Sequence, residues 1–151
     1  MHAALGIVAG LLAFSAGPAD VAPRKLDKRY GLTADLKTYP QGSPKEALAS
    51  ALKAVDNKRI DYLLAHLADP DFVDDRVKRV YGGHFDEQVD DTRARLDPGT
   101  VKQLRALLKD GTWDVDRTKA TVRSKRVKGR CLRLRAVGGR WFLEHPWGEK
   151  K

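Results

Sequence analysis

The chain has 151 residues, of which 42% are hydrophobic, and a formal charge of +9. That length suits one domain around a single core and argues against two. The charge bears on partners and solubility rather than on fold, and it is local. Ten of the 29 Lys and Arg residues fall between Arg117 and Arg140 with no Asp or Glu among them, leaving nineteen elsewhere against all twenty acidic residues.

The N-terminal stretch MHAALGIVAGLLAFSAGPAD carries an apolar run from Ala3 to about Ala16, closed by Gly17 and Pro18. A spanning helix needs about 20 apolar residues, so no transmembrane anchor is expected; the run instead fits the apolar region of a signal peptide over 1–19, cleaved after Ala19 or Ala22. No Lys or Arg precedes it, and a terminal apolar helix is the alternative. Export to the periplasm or the extracellular space follows from the signal-peptide reading. Cys131 is the only cysteine, so no intrachain disulfide can form.

Residues 20–42 show no sustained periodicity and read as a connector, with a short edge strand over Thr33 to Thr38. The domain opens at SPKEALASALKAV, where Ser43 caps a helix, Pro44 suits its first position and Glu46 completes a capping box. Ala47, Leu48, Ala51, Leu52 and Val55 form the buried stripe, leaving Lys45, Ser50 and Lys53 to face water. After Asp56 and Asn57, KRIDYLLAHL resumes the helical period with Ile60, Leu63, Leu64 and Leu67, giving a helical hairpin. Asp69 and Pro70 start a third helix that stops at Gly82, its β-branched second half also compatible with a strand. Phe85 to Leu96 and Pro98 to Lys109 read as two more helices, the second capped by Asp97.

Beyond Gly111 the period changes to two. Trp113 and Val115, then Ala120 and Val122, then Leu132, Leu134 and Ala136 alternate with polar residues. Gly138 and Gly139 supply a two-residue hairpin turn. The register that follows sets Ala136 opposite Trp141, Leu134 opposite Leu143, Arg135 opposite Phe142 and Arg133 opposite Glu144. One face is then apolar and the other charged, with an Arg133–Glu144 ion pair, an Arg135–Phe142 cation-π contact, and Asp114 and Asp116 neutralising further bases. The fold class is α+β: an N-terminal helical hairpin and further helices on one face of a C-terminal curved antiparallel sheet, in a single domain over 43–147 with a tail at 148–151.

Lys125, Arg126, Lys128 and Arg130 cluster at one turn, SKRVKG, and are the candidate anion contacts. The stretch 117–140 holds no Phe, Trp or Tyr for base stacking, so nucleic acid is not the expected partner. A solvated basic turn also needs no ligand, and that alternative stays open. Tyr62 and His66 lie four apart on one helix and pair an acid with a base, which makes them the candidate catalytic residues; residues flanking an apolar stripe also sit there for packing alone. His84 follows two glycines and reads as a helix start. Asp69, Asp71, Asp74 and Asp75 lack the spacing of a calcium loop and instead complement a helix N-terminus. No phosphate loop, nucleophile elbow or His and Cys cluster is present, so neither a metal nor a cofactor is expected.

The hairpin YPQGSPKEALASALKAVDNKRIDYLLAHLADPDFVD, followed far downstream by ATVRSKRVKGRCLRLRAVGGRWFLEHPW, resembles the nuclear transport factor 2-like group. This is also called the cystatin-like or SnoaL-like superfamily, and the likeness is to its small secreted bacterial members. The final strand of that group has the form G-x-W, matched by Gly139, Arg140 and Trp141, and the likeness extends over about Pro40 to Trp147. The resemblance implies a curved sheet wrapped around helices, with a cone-shaped pocket that holds a small molecule, mediates homodimer formation or stands filled. This sequence departs from the pattern by placing several helices before the sheet and by offering four strands. Two functions follow as expectations. One is a non-catalytic exported module that binds a small molecule or an anionic envelope partner. The other is a small lyase or isomerase using Tyr62 and His66.

Overall fold

Three helix starts share one chemistry. In a computed structural model that describes residues 26–144 and the backbone of 149 and 150, α1 (Pro44–Asp56), α3 (Pro70–Arg79) and α5 (Pro98–Asp110) each begin with a proline behind a capping side chain. Ser43, Asp69 and Asp97 accept the backbone N–H groups of Glu46, Asp71 and Thr100 at 3.1, 3.0 and 2.6 Å, so an orphan donor of each first turn is satisfied. Glu46 departs from the expected box by accepting the Gly42 N–H, at 2.9 Å. The predicted signal peptide lies outside the described residues.

Between α1 and α3 the chain forms a short α2 (Ile60–Tyr62) that widens into a π-helical turn, Leu63–Leu67. The Ala68 N–H closes that turn on the Leu63 carbonyl at 2.8 Å. Ala68 then bridges Leu143, and the Asp69 N–H donates to the Leu143 carbonyl at 2.8 Å, which covers an edge of the sheet. Helix α3 ends at Arg79, ahead of the expected stop at Gly82, and its β-branched second half is helical. Helix α4 (Phe85–Arg95) and α5 follow as the periodicity predicts.

The sheet is antiparallel and ordered β3 (Thr112–Val115), β4 (Lys119–Arg123), β5 (Arg130–Val137), β6 (Arg140–Leu143), with β7 (Glu149–Lys150) pairing the start of β5. Its last hairpin has the expected register, with Ala136 opposite Trp141, Arg135 opposite Phe142 and Leu134 opposite Leu143; the Glu144 N–H continues it to the Arg133 carbonyl at 2.9 Å. Ala120, Val122, Leu132, Leu134, Trp141 and Leu143 turn toward Leu48, Leu52, Leu64 and Leu67 to form the core. The architecture is therefore α+β, with the helices preceding a C-terminal sheet.

Several expectations fail. Ser50 is buried rather than solvated, because its hydroxyl donates to the Pro40 carbonyl at 2.6 Å. The edge strand over Thr33 to Thr38 is replaced by a turn in which the Asp35 carboxylate accepts the Thr38 N–H at 3.0 Å. The chain before it forms a separate hairpin, β1 (Lys28–Arg29) and β2 (Leu32–Thr33). The second face of the sheet is not uniformly charged, since Phe142 and Arg140 are buried there. Finally, Arg135 leaves Phe142 to pair with Asp69 and Asp71 at 3.3 and 2.8 Å, and Arg140 takes its place over the Phe142 ring, 5.1 Å from the centroid. Asp114 and Asp116 make no ion pair among the described residues; Asp116 accepts the Arg117 N–H instead.

Candidate functional site

The four basic residues singled out above sit together on the β4–β5 turn, but in two different electrostatic states. Ser124 shapes the turn: its hydroxyl accepts the Arg126 N–H at 3.2 Å and its carbonyl the Val127 N–H at 3.1 Å. Val127 is buried and ties the loop to the core, while Gly129 takes φ +74° and returns the chain to β5. Arg126 is engaged by Asp110 at 3.3 Å, and Arg130 donates to the Gln103 side-chain oxygen at 2.9 Å. Lys125 and Lys128 are exposed and have no carboxylate partner among the described residues. They rim an open depression of about 220 Å³ whose lining also includes Arg123, Arg130 and Cys131. Its size and charge suit an anionic group held at the surface, with Cys131 as a buried packing residue beneath it.

Tyr62 and His66 are brought together as the helical spacing predicts, with ring centroids 4.9 Å apart. Their setting is not that of an acid–base pair awaiting substrate. Tyr62 is 2% exposed and His66 fully buried. Tyr62 stacks on Tyr39, its hydroxyl accepts the Asp35 N–H at 2.8 Å, and burial raises its pKa above the ordinary phenol value. His66 Nε2 lies 2.7 Å from the Leu32 carbonyl. A carbonyl only accepts, so Nε2 carries the proton of the neutral ring. Burial, with lesser repulsion from Arg140 and Arg29, lowers the imidazole pKa. Both side chains are sealed from solvent, which leaves no room for a substrate beside them.

The strongest polar centre was not legible in the sequence. Arg140 is 8% exposed, yet its guanidinium meets only neutral acceptors among the described residues. Its Nε and Nη2 donate to the Gln41 side-chain oxygen at 3.1 and 2.7 Å, Nη1 to the Leu26 carbonyl at 3.1 Å, and Nη2 to the His66 carbonyl at 3.3 Å. Arg29 donates through Nε to the Ala65 carbonyl at 2.8 Å and pairs with Asp74. Carbonyls at the end of a helix lack partners within it, and the negative end of the helix dipole favours cations. The end of the π turn is thus capped by two arginines from opposite ends of the chain. A lone glutamine in an aperiodic segment and an arginine beside a hairpin turn carried no pattern that would have paired them.

Between α5 and the sheet the described residues leave little space. The gap bordered by Leu104, Leu107, Val127 and Leu132 measures about 10 Å³, at most one water. Among the described residues no group of His, Cys, Asp and Glu side chains is placed to hold a metal ion, and no helix is long and apolar enough to cross a membrane. No family model matches the chain, no curated protein matches it, and no solved structure matches its fold.

Proposed function

We propose that the chain is an exported module of nuclear transport factor 2-like type that binds an anionic envelope component through the β4–β5 turn and performs no chemistry. The observation that carries the reading is the pairing of two exposed, carboxylate-free lysines, Lys125 and Lys128, with an open depression lined by Arg123 and Arg130. Arg126 is engaged by Asp110 and Arg130 by Gln103, so the two lysines and Arg123 are what a ligand would find available. The enzyme alternative loses support because Tyr62 and His66 are buried and engaged by backbone groups. The superfamily reading rests on the helical hairpin, the antiparallel meander and its closing Gly139-Arg140-Trp141.

The test is fluorescence anisotropy with labelled polyphosphate as the anionic probe, at low and high salt. Binding is expected to weaken with salt, and the Lys125→Glu, Lys128→Glu double variant to lose roughly tenfold or more in affinity at low salt. An affinity unchanged by the double reversal removes the turn as the binding surface.

A further inference from the structure

We propose that residues 26–42 form an acid-released strap, in which protonation of His66 lifts the β1–β2 hairpin from the face of the domain that carries Tyr62, His66, Arg140 and Phe142.

The strap is a separable unit. Its strands are two residues each and pair only with one another among the described residues; a hairpin of that size has no independent stability. Its aromatic anchors are Tyr30, stacked on Phe85, and Tyr39, stacked on Tyr62, and the rest of its hold on the buried centre is a set of polar ties. Leu32 is tied to His66 Nε2, Leu26 and Gln41 to Arg140, Asp35 to the Tyr62 hydroxyl, and Arg29 to the Ala65 carbonyl and Asp74.

His66 is the one tie that titrates near neutrality. With its proton on Nε2, the other ring nitrogen, Nδ1, is buried and has no hydrogen-bond partner among the described residues. A second proton would sit on Nδ1 without an acceptor and place a third positive charge beside two guanidiniums. The groups around the ring offer no relief. Arg29 of β1 and Arg140 of β6 are cations. On α3, Asp74 is taken by Arg29 and Tyr30, and Asp69 by Arg135. Asp61 of α2 pairs with Arg59, and Tyr62 is a protonated phenol. The buried residues of α1 include no titratable group. On the strap, Asp35 is engaged by Thr38, and Asp27 is exposed.

The direction follows from linkage. The closed-state pKa lies below the ordinary histidine value of about 6.5, so above that pH both states are neutral and the strap is fully held. As pH falls below it, the opened state takes up a proton that the closed state refuses, and the opening equilibrium rises by up to about tenfold per pH unit until the closed-state pKa is reached.

Hydrogen exchange on the full chain from about pH 7 to about pH 5, corrected for the intrinsic rate, tests this. The amides of Ala34, Asp35 and Trp141, bonded to Asp27, Tyr62 and Gln41 respectively, report the strap, and those of β4 and β5 report the core. Strap opening is expected to rise by about tenfold per pH unit below about pH 6.5 while core protection holds. In His66→Gln, whose amide donates to Leu32 but does not titrate, that slope is expected to vanish. Strap amides that track the core at every pH, or an unchanged slope in His66→Gln, overturn the proposal. Should His66→Gln fail to fold, the wild-type imidazole followed by NMR decides: a ring that gains its proton while the strap amides stay protected overturns it equally.

Discussion

The Gln41 side-chain oxygen accepts two hydrogen bonds from Arg140, at 3.1 and 2.7 Å, across 99 positions of sequence. The same glutamine donates to the Trp141 carbonyl at 2.7 Å, and its own carbonyl accepts the Trp141 N–H at 3.0 Å. Gln41 thus behaves as a strand partner for β6 and as the principal ligand of a buried cation. Burial pulls the Arg140 pKa down, and the neutral oxygens around it offset that cost by replacing lost water. Gln41→Leu keeps the volume and removes the partners, leaving Arg140 Nε and the Trp141 carbonyl without theirs. A loss of about 3 kcal/mol is expected from the urea midpoint, the sum of one charged and one neutral unpaired group. A loss under about 0.5 kcal/mol would mean that water or movement satisfies the guanidinium instead.

Asp69 is expected to run opposite to the usual acid limb. Its carboxylate is 9% exposed, and burial raises its pKa more than the Arg135 charge lowers it. A carboxyl whose folded pKa exceeds the unfolded one holds its proton more tightly when folded, so its contribution is largest at low pH and declines as pH rises through the folded pKa. Asp69→Asn keeps the cap on the Asp71 N–H and leaves Arg135 with Asp71. Its stability is expected within about 1 kcal/mol of wild type at neutral pH. Taking the difference between the two proteins cancels Asp35, Asp61, Asp91 and Asp97, whose lowered pKa values act the other way. On acidification that difference should move toward wild type; movement the other way would show that the Arg135 pair outweighs desolvation.

What the sequence made legible follows from the kind of signal each element carries. Capping side chains followed by proline located α1 and α5 almost to the residue, and alternation about Gly138-Gly139 set the register of β5 and β6. Alternation says which residues share a face and is silent on what covers it. Phe142 and Arg140 therefore read as solvated, although both are buried and Leu26 and Gln41 of the aperiodic segment 26–42 close over Arg140. That segment is shaped by turn chemistry at Asp35 and by contacts about a hundred residues away, neither of which leaves a local period. The basic turn was visible as composition, whereas the division between committed Arg126 and Arg130 and uncommitted Lys125 and Lys128 depends on where α5 places Asp110 and Gln103.

Gly111 looks in sequence like an ordinary helix stop, and its geometry shows a different requirement. Its φ of −71° and ψ of 145° are open to any residue, so left-handed backbone is not the reason for glycine. A Cβ at this position would stand 2.2 Å from the Leu107 carbonyl oxygen and 2.3 Å from Val122 Cγ2. The carbonyl is fixed by the bond it accepts from the Gly111 N–H at 3.0 Å, and Val122 is fully buried on β4. Neither neighbour can retreat without parting α5 from the sheet. Gly111→Ala is therefore expected to cost about 3 kcal/mol or more, at the upper end of overpacking changes. Gly129 is the internal comparison, because it has φ +74° and open space around it. Gly129→Ala should lose about 1 kcal/mol by backbone strain alone. Chemical denaturation of both variants separates the two causes: equal losses would show that the helix–strand junction yields, and a far larger loss at Gly111 that the packing of α5 on β4 is rigid.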